Sequence, residues 1–305
     1  MTDFTAGFEL ALLALGAALV NGAVGYGFSS IVTPVALLWY SNRVLNPAIV
    51  LVEVAVNLAL VVRERRFVRS TWPHARPIVW TLLPGVLLGT LGLTYLAVND
   101  VKLVVYAALL PLVIAQLWGF RRPIRNHDRG GAVVGSGIGF LYALTTISGP
   151  PLALFLRNQG LSKNEFRCTI AQVRLAESTL TLATYSVFTG LFSANLVSLP
   201  ALGLLPYLVV PVVIGIPVGT LFLTKISPES FRRVVMAVDG IIVSYGLTRI
   251  VAGIGWISST TAYEVMVALF AGIAIVAWRS LRSVTEFRPR VRENSESAGQ
   301  IDPDT

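Results

Sequence analysis

Residues 141–156 read LYALTTISGPPLALFL, and this stretch decides how the chain folds. Apolar side chains flank a polar centre that contains three hydroxyl groups, Gly149 and the pair Pro150 and Pro151. Proline lacks a backbone donor and clashes with the preceding helical turn, so we expect the helix to be interrupted here. Residues 21–38, NGAVGYGFSSIVTPVALL, have the same character, which indicates that the same kind of helix interruption occurs twice in the chain.

The composition indicates a membrane protein. Of the 305 residues, 54% are hydrophobic and 13% are charged, against about 25% charged in soluble domains. Apolar stretches near the length needed to cross a hydrocarbon core of about 30 Å recur along the chain. The sequence therefore predicts an all-α polytopic protein, with the lipid bilayer as its surroundings.

The net charge of +8 does not indicate nucleic acid binding. Arg and Lys concentrate in short loops between apolar segments, as membrane topology requires. We therefore expect no nucleic acid partner. Cys168 is the only cysteine, and both histidines lie in basic loops, so neither a metal site nor a cofactor is expected.

Charge and length predict the topology. Seven stretches are expected to cross the membrane: 46–62, 77–97, 102–120, 166–188, 197–223, 231–252 and 262–278. The interrupted segments 8–39 and 131–156 are expected to be re-entrant hairpins with arms of about 10–13 residues, too short to cross at 1.5 Å per residue. Only then do all the basic loops lie on one side. A single proline-kinked helix is the alternative.

An internal repeat is visible in the sequence. An offset of 117 residues aligns Gly22 with Gly139 and Pro34 with Pro151. An offset of 130 aligns GVLLGTLGL at 85–93 with GIPVGTLFL at 215–223. Each half then contains one hairpin and three transmembrane helices, and three crossings invert the second copy. Inverted repeats with discontinuous helices are typical of secondary transporters, whose substrate site lies between them.

This plan divides the chain into four parts. They are a first transmembrane repeat at 1–120, a second at 131–252, an appended C-terminal helix at 253–278 and a disordered cytoplasmic tail at 279–305. The expected location is the bacterial plasma membrane, with the N-terminus outside and the C-terminus in the cytoplasm. The oligomeric state is left open.

The chain resembles the TauE/SafE family of sulfite exporters, which are anion permeases. The resemblance rests on NGAVGYGFSSIVTPVALL, TTISGPPLALFL and the paired GxxxGTLxL signatures, and it covers both halves up to about residue 252. It implies transport of sulfite, an organosulfonate or another sulfur oxyanion, with no enzymatic activity and no catalytic residue. It does not fix the substrate.

Charged residues inside apolar segments are functional candidates, because charge at membrane depth is costly. Arg174 is an anion ligand, since a guanidinium suits paired oxygens, or the partner of a salt bridge with Glu177 or Glu53, and the two roles are not exclusive. The carboxyls of Glu53, Glu177 and Asp239 are candidates for proton coupling, or are structural.

The hairpin tips supply the other predicted half of the substrate site. The start of a half-helix offers free N–H groups and a positive dipole end. The predicted ligands there are Ser29, Ser30, Thr33, Thr145, Thr146, Ser148 and Gly149. Close helix packing is the alternative reason for these small residues. We interpret Gly85, Gly89, Gly215 and Gly219 mainly as packing residues.

These features predict a secondary transporter of a small anion, driven by protons, with the anion between the hairpin tips near the bilayer midplane. Whether it exports or takes up the anion is left open. A passive anion channel is one alternative. An intramembrane acid/base enzyme is less favoured, because no histidine lies in a predicted span.

Overall fold

The structure is a computed structural model, and it describes residues 2–117, 127–156, 159–192, 197–222 and 228–298. Within these ranges all regular secondary structure is α-helical. The helices are α1 (Thr2–Val24), α2 (Phe28–Ala36), α3 (Asn42–Arg63), α4 (Val68–Val79), α5 (Leu82–Tyr95), α6 (Val98–Leu117), α7 (His127–Thr145), α8 (Gly149–Leu156), α9 (Lys163–Phe192), α10 (Leu199–Gly203), α11 (Leu205–Phe222), α12 (Pro228–Gly253) and α13 (Ser259–Ala298).

The described helices confirm an all-α membrane protein. Five segments are long and apolar enough to cross a membrane: Thr5–Ala23, Asn42–Arg63, Val98–Ala115, Leu199–Leu221 and Ser259–Arg279. The pair α4 and α5 makes a sixth if it is one bent span. Helix α9 has 30 residues but is not among these segments. It carries Arg174, Glu177 and several hydroxyl groups, which lower its hydropathy.

One predicted span is wrong in detail. The chain does not form a single helix over 77–97, because it breaks at Trp80 and Thr81 and bends by 51° between α4 and α5. The hydroxyl of Thr81 donates to the carbonyl oxygens of Pro77 and Ile78. The carbonyl of Thr81 accepts from Ser136 on α7 at 2.9 Å. Side-chain bonds to the backbone thus compensate for the interrupted helical ladder.

The interruptions in 8–39 and 131–156 are present, but the predicted arm lengths are wrong. The first arms, α1 and α7, have 23 and 19 residues, and the second arms, α2 and α8, have nine and eight. Small residues inside the first arms do not break them. The breaks occur where the backbone becomes left-handed, with φ of 92° at Gly25, 114° at Gly27 and 61° at Thr146. Pro150 and Pro151 fall in the first turn of α8, where a missing N–H costs little.

Glycines bring each long arm against a helix of the other half. A Cβ at Gly85 would lie 1.9 Å from the carbonyl oxygen of Ser136, and one at Gly89 would lie 2.5 Å from that of Phe140. In the other half, a Cβ at Gly219 would lie 2.2 Å from the carbonyl oxygen of Leu19. Gly215 is equally close to α1. The interpretation of these four glycines as packing residues is confirmed.

The two helix breaks lie at a different offset from that of the predicted repeat, and the repeat itself stays a prediction. Val24 and Thr145 end the long arms, and Phe28 and Gly149 begin the short ones, so an offset of 121 aligns both breaks. The predicted offset of 117 aligned glycines and prolines, and it differs from the observed offset by about one helical turn. Across the halves, α3 packs on α9 and α6 packs on α12. The inversion of the halves relative to the membrane stays a prediction.

The C-terminal region also differs from expectation. The sequence predicts a disordered tail from residue 279, whereas α13 continues as a helix through Ala298. Residues 299–305, and the last residues of the predicted span 102–120, lie outside the described residues.

Candidate functional site

The breaks of the two interrupted helices meet in the interior. The side-chain oxygens of Thr33 on α2 and Thr146 in the second break are hydrogen bonded at 2.7 Å, and both residues are buried. Asn46 on α3 adds a bond of 2.8 Å to the carbonyl of Leu144. Thr146 is β-branched and has left-handed backbone, which is a strained combination that clusters at functional sites.

Arg174 lies between the two breaks. It projects from α9, is 2% exposed, and its Nη2 forms an ion pair with Glu53 Oε1 on α3. The same nitrogen donates to Ser29 Oγ at 3.1 Å, in the first turn of α2. Its Nη1 lies 3.2 Å from the point where a Cβ on Gly149 would sit. Arg174 therefore contacts a residue beside each break, and the missing side chain of Gly149 makes room for it.

Two buried carboxyl groups complete the cluster. Glu53 Oε2 accepts a hydrogen bond of 2.7 Å from the hydroxyl of Tyr142 on α7. Glu177 is one turn from Arg174 on α9, and its Oε2 accepts a bond of 2.5 Å from Ser148 Oγ in the second break. Each carboxyl is thus held by a residue of the second interrupted segment.

Several polar atoms of the cluster have no hydrogen-bond partner among the described residues. They are Arg174 Nε, Glu177 Oε1, Ser30 Oγ and, one turn beyond Glu177 on α9, Thr181 Oγ1. Buried polar atoms are nearly always satisfied, so such a group needs an explanation. The guanidinium N–H and the hydroxyls can donate to an anion, and the carboxyl oxygen can hold a proton.

The two short helices offer different donors at their first turns. In α2, Ser29 and Ser30 are in the first turn, where backbone N–H groups have no helical acceptor. In α8, Pro150 and Pro151 have no N–H, so hydroxyl and guanidinium groups supply the donors on that side. Thr145 Oγ1 is engaged with the backbone, donating to the carbonyl of Leu141 and accepting from the N–H of Ile147. Thr146 Oγ1 also donates to the backbone of this turn, at 2.6 Å to the carbonyl of Thr145.

The structure brings most of the predicted residues together through direct contacts. These are Ser29, Thr33, Thr146, Ser148, Gly149, Arg174, Glu53 and Glu177. Ser30 is buried beside them on α2. The backbone of Asp239 lies in α12, but its side chain is outside the described part of the structure. That these residues bind substrate or protons stays a prediction.

Sequence reasoning missed two members of the cluster, Tyr142 and Asn46. Both are fully buried, and each joins α3 to α7 through a hydrogen bond. A signal was present for Tyr142, because it is the one tyrosine in the interrupted segment 131–156. For Asn46 the signal was weaker, since it lies near the start of a predicted span, where polar residues are common.

The apolar helices define a multi-pass helical membrane protein, with a buried ion pair beside two helix breaks. The chain belongs to the family of the sulfite exporter TauE/SafE, whose family model matches residues 10–246. The matched range includes both breaks and the whole charged cluster. Neither the comparison with curated proteins nor the comparison with solved structures gives a match. Membership implies transport of sulfite or a related anion as the activity.

Proposed function

We propose that the protein is a proton-coupled secondary transporter of a small sulfur oxyanion, which binds at Arg174 between the two breaks. The observation that carries this proposal is the position of Arg174, which contacts Ser29 beside one break and Gly149 beside the other. A guanidinium presents a planar fork of donors that matches two oxygens of one anion. The free N–H groups at the start of α2 add to the attraction for negative charge.

Glu53 gives the proposal its coupling mechanism. Its carboxylate pairs with Nη2 of Arg174, the position that a substrate oxygen would take. A proton on Glu53 would remove the competing charge and release Arg174 to the anion. Tyr142 would still hold the neutral carboxyl through the hydroxyl that now donates to Oε2. Proton uptake and anion binding then favour each other, and by linkage the coupling is reciprocal.

Glu177 is the second proton-coupling residue in this proposal. Its Oε2 is fixed by Ser148, while Oε1 is buried without a partner. Taking a charged group out of water is costly, and an anion beside an ionised Glu177 would raise that cost. A proton on Glu177 would lower the cost when the anion arrives. Asp239 on α12 remains a third candidate for proton coupling.

Helix direction supports re-entrant hairpins. Gly7 of α1 lies against Tyr207, and Leu19 lies against Gly219, so α1 and α11 run in the same direction. Helix α1 then enters the membrane from the side on which α11 begins. The loop before α11, residues 190–198, has no Lys or Arg. Helix α2 leads back, since the carbonyl of Leu37 contacts Lys102 near the start of α6. That end of α6 also follows a loop without basic residues.

The same reasoning supports the remaining topology. In the second half, Gly85 and Gly89 of α5 contact Ser136 and Phe140 of α7 in the same order, so these two helices are also parallel. With all the basic loops on one side, the N-terminus lies outside and the C-terminus in the cytoplasm of a bacterial plasma membrane. The two halves are then inverted repeats that share one site.

The test is sulfite flux into proteoliposomes. Arg174→Ala should abolish sulfite binding and flux. The variant should still be folded, as shown by a single peak in size-exclusion chromatography and a cooperative unfolding transition. Arg66→Ala, which removes an exposed arginine from a basic loop, is the matched control and should leave flux unchanged. Normal flux by the Arg174 variant would overturn the proposed site. Flux that neither saturates nor follows the pH gradient would indicate a channel.

A further inference from the structure

A cationic cavity lies just beyond the C-terminal end of α2. It has a volume of about 380 Å³ and is lined by the end of α2 together with helices α6 and α12. Lys102 and Arg249 line it, together with Tyr106 and Tyr245. Among the described residues that line the cavity, two side chains are cationic and none is acidic. The cavity is therefore positively charged.

Lys102 and Arg249 have no acidic partner in the contacts that the structure describes for them. Lys102 Nζ donates to the carbonyl of Leu37 at 2.5 Å, which uses one of the three ammonium donors. Arg249 Nη1 donates to the hydroxyl of Tyr245 at 3.0 Å, and its guanidinium lies 5.8 Å from the centre of that ring. These partners are all neutral. Like charges that line a partly enclosed space raise the local concentration of the opposite ion.

One short helix joins this cavity to the Arg174 site. Ser29 at the start of α2 contacts Arg174, and Leu37 just after its end contacts Lys102. At 1.5 Å per residue, the two places are roughly 12 Å apart along α2. Tyr106 strengthens the connection, because its hydroxyl donates at 2.9 Å to the carbonyl of Pro34, next to Thr33 in the central cluster.

We infer that this cavity is a second anion site, a vestibule that exchanges the transported oxyanion with the Arg174 site through the α2 region. The inference rests on the proposed function for the identity of its ligand. The vestibule lies on the side of the loops without basic residues, where a local positive charge is needed to attract an anion. Arg249 lines this cavity together with a second cation, Lys102.

Trp39 provides a direct probe, because it lines the cavity and is 46% exposed. Quenching of tryptophan fluorescence is measured with iodide, an anion, and with acrylamide, which is neutral. The contribution of Trp39 is the part lost in Trp39→Phe. We expect iodide to quench this part more strongly than acrylamide does, and we expect added sulfite to protect it.

Charge removal is the decisive comparison. The double variant Lys102→Met and Arg249→Gln should lower the iodide quenching of Trp39 by about three- to tenfold for each charge removed. This is the size of the effect expected from the Coulomb attraction between iodide and one charge near a protein surface. Quenching by acrylamide should stay unchanged. Lys102→Arg with Arg249→Lys keeps both charges and should behave as the wild type. Because Lys102 also caps α2, Arg249→Gln alone serves as a second variant with the cap intact.

Two outcomes would overturn the vestibule. One is iodide quenching that the charge-removing variants do not change. The other is an equal loss of quenching by iodide and by acrylamide in these variants, which would mean that Trp39 has become less exposed. Flux separates this inference from the proposed function. The charge-removing variants should raise the KM for sulfite several-fold and keep the maximal rate, whereas Arg174→Ala should lose flux and keep the iodide effect.

Discussion

Glu53→Gln tests the central ion pair, because it keeps the size of the side chain and removes its charge. The carboxylate of Glu53 is the acidic partner of buried Arg174, and both residues are at most 2% exposed. Breaking a buried pair by removing one charge costs roughly 3–5 kcal/mol, since the other charge stays buried. A loss of this size should lower the midpoint of thermal unfolding by about 5 °C or more.

An anion should restore much of this loss. In the variant Arg174 has no competing carboxylate, so sulfite can pair with it directly. Sulfite at 100 times its Kd stabilises the folded protein by about 2.7 kcal/mol. This offsets most of a loss of roughly 3 kcal/mol, the low end of the range for breaking the pair. The wild type should gain less, because the anion must first displace Glu53. Flux in the variant should continue down a sulfite gradient and should depend less on the pH gradient than flux in the wild type.

The assay is thermal unfolding of purified protein in one detergent, with sulfite or chloride at equal ionic strength. Glu264→Gln is the matched control, since it removes an exposed carboxylate on α13 that is not part of the cluster. We expect the control to keep the wild-type gain from sulfite. The reasoning is refuted if Glu53→Gln unfolds at the wild-type temperature and gains no more from sulfite than the wild type does.

Two further predictions concern packing and topology. Gly89→Ala should destabilise the protein by about 1–3 kcal/mol or more, because its Cβ would lie 2.5 Å from a backbone oxygen of α7. Gly137→Ala, with no atom within 4 Å of the new Cβ, should unfold like the wild type, and equal midpoints for the two variants would contradict the packing argument. A cysteine at exposed Ser162, in a variant without Cys168, should react with a membrane-impermeant thiol reagent only from the cytoplasmic side. Labelling from outside alone would rule out the re-entrant hairpins.

The sequence by itself determined the class of protein and the two interrupted segments, 8–39 and 131–156, but not the break between α4 and α5. Hydropathy, charged loops and proline act locally, so they can be interpreted without knowing what lies opposite. Charge in apolar surroundings is costly, and this alone identified Arg174, Glu53 and Glu177. For the same reason the hydroxyls around Gly149 were recognisable as a feature that a plain membrane helix does not need.

Only the tertiary structure decided how these residues meet. Glu53 faces Arg174 because α3 packs on α9, and the two residues are 121 positions apart, the offset that aligns the breaks. The sequence left the partner of Arg174 open, and it gave no sign that Lys102 and Arg249 share a cavity. The rotation and depth of each helix are fixed where glycines such as Gly85 and Gly219 touch the backbone of the other half. Such contacts depend on both helices at once, so neither segment specifies them alone.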